Sequence, residues 1–270
     1  MNRLPLAAAL LISLAAAPLS AQTDRTPDLA TTVPGAWVTD RYAPCQFALA
    51  NGVQGRNNVL QTSVCNADDQ ANRPSAYSST FYNTQGRQIA IDGVNTFPPA
   101  SQSLSLDLYV DASWATNALG DVSTGMWARL NQVATDNEAD AWYPIIGFSN
   151  ISGAGTFRFF DSNIGYVDLG AAVNYGAWNT LSMTFTGNQY DAYVNGVSQY
   201  SMTGDAGADR LTTAFINTSN YGPNNNGTGE YTANWSNTAV TSTPEPASLA
   251  LLATGLVGIG GIAARRRKQA

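Results

Sequence analysis

Between Trp178 and Met202 apolar and polar residues alternate with a period of two, interrupted by two short turns. That pattern leaves little room for anything but an antiparallel β meander. Leu181, Met183 and Phe185 lie on one face of the first strand, and Gly187-Asn188 supplies a turn. Residues 189–194 make the second strand and residues 197–202 the third. Between them stands Asn195-Gly196, the pair that tolerates the two positive φ angles of a type I′ hairpin.

The same period recurs upstream. Leu104, Leu106, Leu108 and Val110 alternate with Ser103, Ser105, Asp107 and Tyr109. Further strands are expected at 36–42, 57–63, 76–82, 87–91, 126–130, 142–148, 156–161, 165–169, 212–216 and 230–236. No segment among them holds a helical period. Many short strands joined by Gly, Asn and Asp turns predict an all-β fold, a two-sheet antiparallel jelly-roll sandwich. With no proline-rich break inside it, residues 33–240 are expected to form a single domain.

Charge and residue usage narrow the chemistry. Between Gln22 and Thr243 stand 18 acidic residues and 8 arginines, a net charge of −10, and the single lysine is Lys268. Such a balance argues against nucleic acid or anionic lipid as partner. Histidine is absent, which removes a Ser-His-Asp triad and any histidine zinc site. The two cysteines, Cys45 and Cys65, are expected to pair in an oxidising compartment.

Both ends of the chain point to such a compartment. Arg3, an apolar core over residues 4–17, Pro18 and then Leu19-Ser20-Ala21 have the order of a secretory signal peptide. Cleavage is expected after Ala21, with residues 22–32 as linker. At the other end an apolar segment, residues 247–264, is followed by Arg265, Arg266, Arg267 and Lys268. Its length as a helix is about 27 Å, enough to cross a bilayer. The basic cluster would hold the cytoplasmic side, leaving all that precedes it outside.

Pro244-Glu245-Pro246, the apolar segment and the Arg-rich end, in that order, resemble the PEP-CTERM sorting signal, taken here as residues 241–270. The resemblance implies an exosortase-type sorting enzyme as partner. It also implies transient anchoring in the inner membrane through a C-terminal transmembrane helix, then delivery to the cell surface or extracellular matrix. A second resemblance lies in the middle of the chain. Tyr143-Pro144-Ile145-Ile146-Gly147-Phe148, Phe157-Arg158-Phe159 and Tyr166-Val167-Asp168-Leu169 precede Trp178-Asn179-Thr180-Leu181 and Tyr193-Val194-Asn195-Gly196. This series is similar to the laminin-G-like and concanavalin A-like jelly rolls. It implies a glycan, such as an exopolysaccharide, as partner.

Candidate site residues follow from chemistry. Trp142, Tyr143 and Tyr221 are the foremost sugar-stacking candidates, with Trp114 and Trp127 behind them; Tyr221 sits in the Asn/Gly-rich stretch 217–229. Asp136, Glu138 and Asp140 carry oxygen donors of the kind Ca²⁺ takes, without the spacing of a twelve-residue calcium loop. Asp205 and Asp209 stand in a similar loop. Glu138 and Asp140 resemble two of the three alternating carboxylates of jelly-roll glucanases, but Trp142 occupies the third position. A glycosidase needs a flanking carboxyl pair, so no catalytic constellation is expected. The leading expectation is non-catalytic polysaccharide binding. A polysaccharide hydrolase or lyase is the alternative, and a structural envelope protein without a specific ligand is the third reading.

Overall fold

A computed structural model describes residues 37–91, 100–116, 120–131, 142–151, 153–204, 208, 210–220 and 230–244. The expected signal peptide and linker, the loop holding Asp136, Glu138 and Asp140, the residues Asp205, Asp209 and Tyr221, and the segment from Glu245 onward lie outside them. Among the described residues no helix is long and apolar enough to cross a membrane.

The strands are β1 (Val38–Arg41), β2 (Gln46–Ala50), β3 (Val59–Val64), β4 (Thr84–Ala90), β5 (Ala100–Val110), β6 (Ser123–Asn131) and β7 (Ile145–Ser149). They continue as β8 (Thr156–Asp161), β9 (Gly165–Asp168), β10 (Ala177–Thr186), β11 (Gln189–Val194), β12 (Val197–Thr203), β13 (Arg210–Ser219) and β14 (Tyr231–Pro244). Two seven-stranded sheets result, in the orders β1-β4-β13-β6-β7-β8-β9 and β12-β11-β10-β5-β14-β3-β2. Their strand pairs are antiparallel. The meander is β10-β11-β12, and Asn195 and Gly196 take φ of 51° and 78° at the second turn, as its type I′ chemistry requires.

Alternation decides what is buried. Leu104, Leu106, Leu108 and Val110 of β5 and Leu181, Met183 and Phe185 of β10 face inward and are fully covered. Met126, Ala128, Leu130, Ile146, Phe157, Phe159 and Ile216 come down on them from the other sheet, closing one core. Cys45 and Cys65 are bridged across a Cα separation of 6.0 Å. The bridge ties the start of β2 to the end of β3, and closing a loop of this size stabilises by about 3 kcal/mol in the chain-entropy model.

Three sequence expectations are corrected. Residues 76–82 are not a strand but two 3-10 turns, Ser75–Tyr77 and Thr80–Asn83. Their aromatic content imitates a strand, yet Tyr77 and Tyr82 meet edge to face at 5.0 Å across the turns. The edge strand β2 was not foreseen. The last strand, expected to end at Ser236, continues as β14 to Pro244, pairing Thr243 with Ser101 and Pro244 with Ala100. A bulge between Ser236 and Ala239, with Asn237 at φ 51°, throws the alternation out of phase and hides the strand.

Candidate functional site

The outer face of the first sheet carries a groove of about 550 Å³. Its form follows from register, because residues paired across neighbouring antiparallel strands project from the same face. One cross-strand row reads Asp40, Gly86, Asn217, Gly125, Gly147, Arg158, Asp168. Three of its members have no side chain, so between Asp40 and Arg158 the row is mostly bare backbone. The four central positions span three strand spacings, about 14 Å.

Two residues along each strand, roughly 7 Å away, lie the walls. On one side the row is Phe215, Trp127, Ile145, Phe160, Tyr166. Trp127 packs on Phe215 at 6.2 Å, Tyr143 meets the same Phe215 at 6.2 Å, and Phe160 meets Tyr166 at 5.1 Å. On the other side Thr84, Ser123, Ser149 and Ser219 supply hydroxyls. An aromatic wall, a backbone floor and a hydroxyl wall therefore run together across the sheet. Arg41 and Arg158 are its charged lining groups, and no carboxylate lines it among the described residues.

The glycines of the floor are required by close approach. A Cβ on Gly147 would come 2.3 Å from the Thr124 carbonyl oxygen, and one on Gly86 would run into Asn217. Asn217 is buried between these glycine strands and leans on the Asp40 carboxyl. Burial pushes that carboxyl above its ordinary value of 3.8, against the opposing pull of Arg41 and of the neighbouring Asn217 amide. A folded-state pKa above the unfolded value means that Asp40 favours folding most below pH 4. That contribution is lost as pH rises through the folded pKa. Asp40→Asn should accordingly raise the melting temperature at pH 7, with the gain shrinking toward pH 4 in a series of thermal melts. A gain independent of pH would contradict the assignment.

The sequence candidates separate. Tyr143 lines the groove. Trp142, its neighbour, points the other way, is half-buried and packs against Tyr190 at 6.4 Å. Trp114 is not a surface stacking residue: it is 2% exposed and stacked on Phe148 in the core. Trp127 lies in the aromatic wall. Among the described residues no cluster of His, Cys, Asp or Glu could hold a metal ion, and Asp136, Glu138 and Asp140 fall outside them. Reasoning from sequence missed Asp40, Arg41, Phe160, Tyr166, Asn217 and the glycine floor. The available signal was a glycine inside a strand, as in Thr124-Gly125-Met126 and Ile146-Gly147-Phe148, which marks a close backbone approach.

A family profile described as "PEP-CTERM protein-sorting motif" matches residues 242–268. Its first three residues are thus the end of β14, still paired in the second sheet. No curated protein matches the chain. Among solved structures, an alginate lyase from Chlorella virus superposes with a TM-score of 0.52 at 11% identity, covering 82% of this chain and 99% of that one. A functionally unknown protein from Saccharomyces cerevisiae gives a TM-score of 0.48 at 10% identity, over 77% of this chain and 97% of that one. A sialidase gives a TM-score of 0.46 at 11% identity over 78% of this chain, which spans only 17% of the sialidase's length. At these identities the likeness is one of fold. The chain is therefore an all-β, two-sheet antiparallel sandwich of jelly-roll type that carries a PEP-CTERM protein-sorting motif, the mark of an exported protein.

Proposed function

We propose that this is an exported surface or matrix protein whose sandwich binds polysaccharide without cleaving it, in the trough on the outer face of the first sheet. Exosortase processing of the tail would deliver it there. The observation that carries the reading is the three-row trough. An aromatic wall takes the apolar faces of pyranose rings, hydroxyls opposite exchange hydrogen bonds with sugar hydroxyls, and the glycine floor lets the chain lie close to backbone. The Chlorella virus protein acts, by its name, on a polysaccharide; that likeness extends to fold alone, and the reading rests on the trough.

Binding of the purified protein to alginate, xylan and laminarin tests it. Trp127→Ala should weaken binding to the polymer it takes by roughly thirtyfold, about 2 kcal/mol, the loss expected for a central aromatic anchor. Trp178→Ala, on the opposite sheet, should leave it unchanged. No release of reducing ends is expected. The hydrolase or lyase reading would instead need turnover that disappears on replacing Asp40, which stands beside the trough next to Arg41, or Glu138. Such turnover would displace the binding reading.

A further inference from the structure

Arg41 stands out of the pattern that places every other wall residue. It is paired with Gln85, whose side chain is fully buried, and Thr218, paired with Gln85 in turn, is buried as well. With an ordinary strand φ, alternation after Asp40 would turn Arg41 toward that interior. It adopts φ 59° instead, a left-handed conformation uncommon outside glycine, and lies in the trough. There its guanidinium rests between two rings, 4.6 Å from the Phe81 centroid and 4.7 Å from that of Trp127. Backbone and rings together fix a cation at one end of the aromatic wall.

That cation has not spent its donors. Among the described residues no acceptor takes a hydrogen bond from the Arg41 guanidinium, and its nearest charged neighbour is Asp40 Oδ2 at 3.9 Å from Nε. Asp40 is itself turned to Asn217. Arg158, the other arginine of the lining, is by contrast engaged through Nε with Asp168 at 2.7 Å. Planar N–H donors on a pre-positioned guanidinium match the two oxygens of a carboxylate. We infer that Arg41 forms a subsite for the carboxylate of an acidic sugar, so that the trough selects a uronate-bearing polysaccharide over a neutral one. This rests on the reading of the trough as a glycan site. It also gives the ligand's sign: the segment from Gln22 to Thr243 is net negative as a whole, while the charged lining groups of the trough are Arg41 and Arg158.

The experiment compares polygalacturonate with its fully methyl-esterified form, one backbone with the carboxylate present or masked, on the purified protein. The acid polymer should bind about tenfold more tightly or better, the scale of a hydrogen bond to a charged group. Arg41→Gln should abolish the preference, so that acid and ester bind alike, with a thermal melt reporting that the variant is folded. Arg41→Lys, a cation without the planar fork, should recover only part of the preference. Equal binding of both polymers, or a preference that survives Arg41→Gln, would overturn the acid subsite while the trough stands. Binding of neither polymer, with Trp127→Ala having no effect on any glycan, would remove the trough reading and this inference with it.

Discussion

Replacing Asp107 with Ala should destabilise the protein by about 3 kcal/mol, the lower end of the range for breaking a buried ion pair. Asp107 projects from the middle of β5 on the outer face of the second sheet and is only 7% exposed. One oxygen accepts from Thr180 Oγ1 at 2.6 Å; the other accepts from Arg56 Nη1 at 2.6 Å and Asn237 Nδ2 at 2.7 Å. Those donors come from β10, from the turn before β3 and from the β14 bulge. Arg56 also lies 4.2 Å over the Trp178 ring, whose Nε1–H donates to the Gln54 carbonyl at 3.2 Å. One carboxylate thus fastens three segments, and removing it strands a guanidinium on an aromatic face. Arg56 keeps some contact with water, which places the cost at the low end. Urea unfolding measures it. Asp168→Ala is the comparison: it breaks an equally short pair, with Arg158, but its side chain is 60% exposed, so the loss should stay below about 1 kcal/mol. Equal losses at the two sites would contradict the account of what holds the second sheet.

The second large effect lies in the trough floor. Gly147→Ala brings a Cβ to 2.3 Å from the Thr124 carbonyl oxygen and 2.7 Å from the Gly125 Cα, both backbone atoms that cannot swing aside. β7 must then move from β6, with an overpacking cost of about 1–3 kcal/mol. Trp127 on β6 and Ile145 on β7 separate, and glycan binding should fall with stability. Gly125→Ala is milder. Its nearest contacts are the Ile146 carbonyl oxygen at 3.2 Å and Ile145 Cγ2 at 3.3 Å, which need give by only a few tenths of an ångström. That variant should stay folded yet bind less, because the new methyl fills the floor. Thermal melts beside binding titrations separate the two outcomes. Full binding by a folded Gly125→Ala would show that the floor is not where the ligand lies.

How far the fold could be read from the chain depended on whether each strand had one wet and one dry face. β10 and β11 do, and so does the first half of β5; Leu104, Leu106, Leu108 and Val110, and Leu181, Met183 and Phe185, point to the core as their period requires. β14 lost its period at the Asn237 bulge. The edge strand β2 has Phe47 and Leu49 only half-buried against the core, so its alternation is weak. Residues 76–82 carried β-forming aromatics that pack on one another in turns instead. The site was harder to read because it is made by register: Gly86, Asn217, Gly125 and Gly147 come from four strands far apart in sequence. A single chain pattern gives each glycine as a local irregularity, while their alignment into one floor appears only when the strands pair. Arg41 was hidden for a related reason, since its outward position depends on a left-handed φ that residue type does not foretell.

The central claim is that ligand is held on the outer face of the first sheet, and the tryptophan side chains report on it directly. Trp127 lies in the aromatic wall, whereas Trp178 lies on the outer face of the opposite sheet with its indole N–H bound to Gln54. In a titration with the polysaccharide that binds, followed by the indole resonances of ¹⁵N-labelled protein, the Trp127 signal should shift progressively and saturate. The Trp178 signal should stay in place. Saturable movement of the Trp178 resonance with Trp127 unmoved would put the ligand on the other sheet and contradict the account.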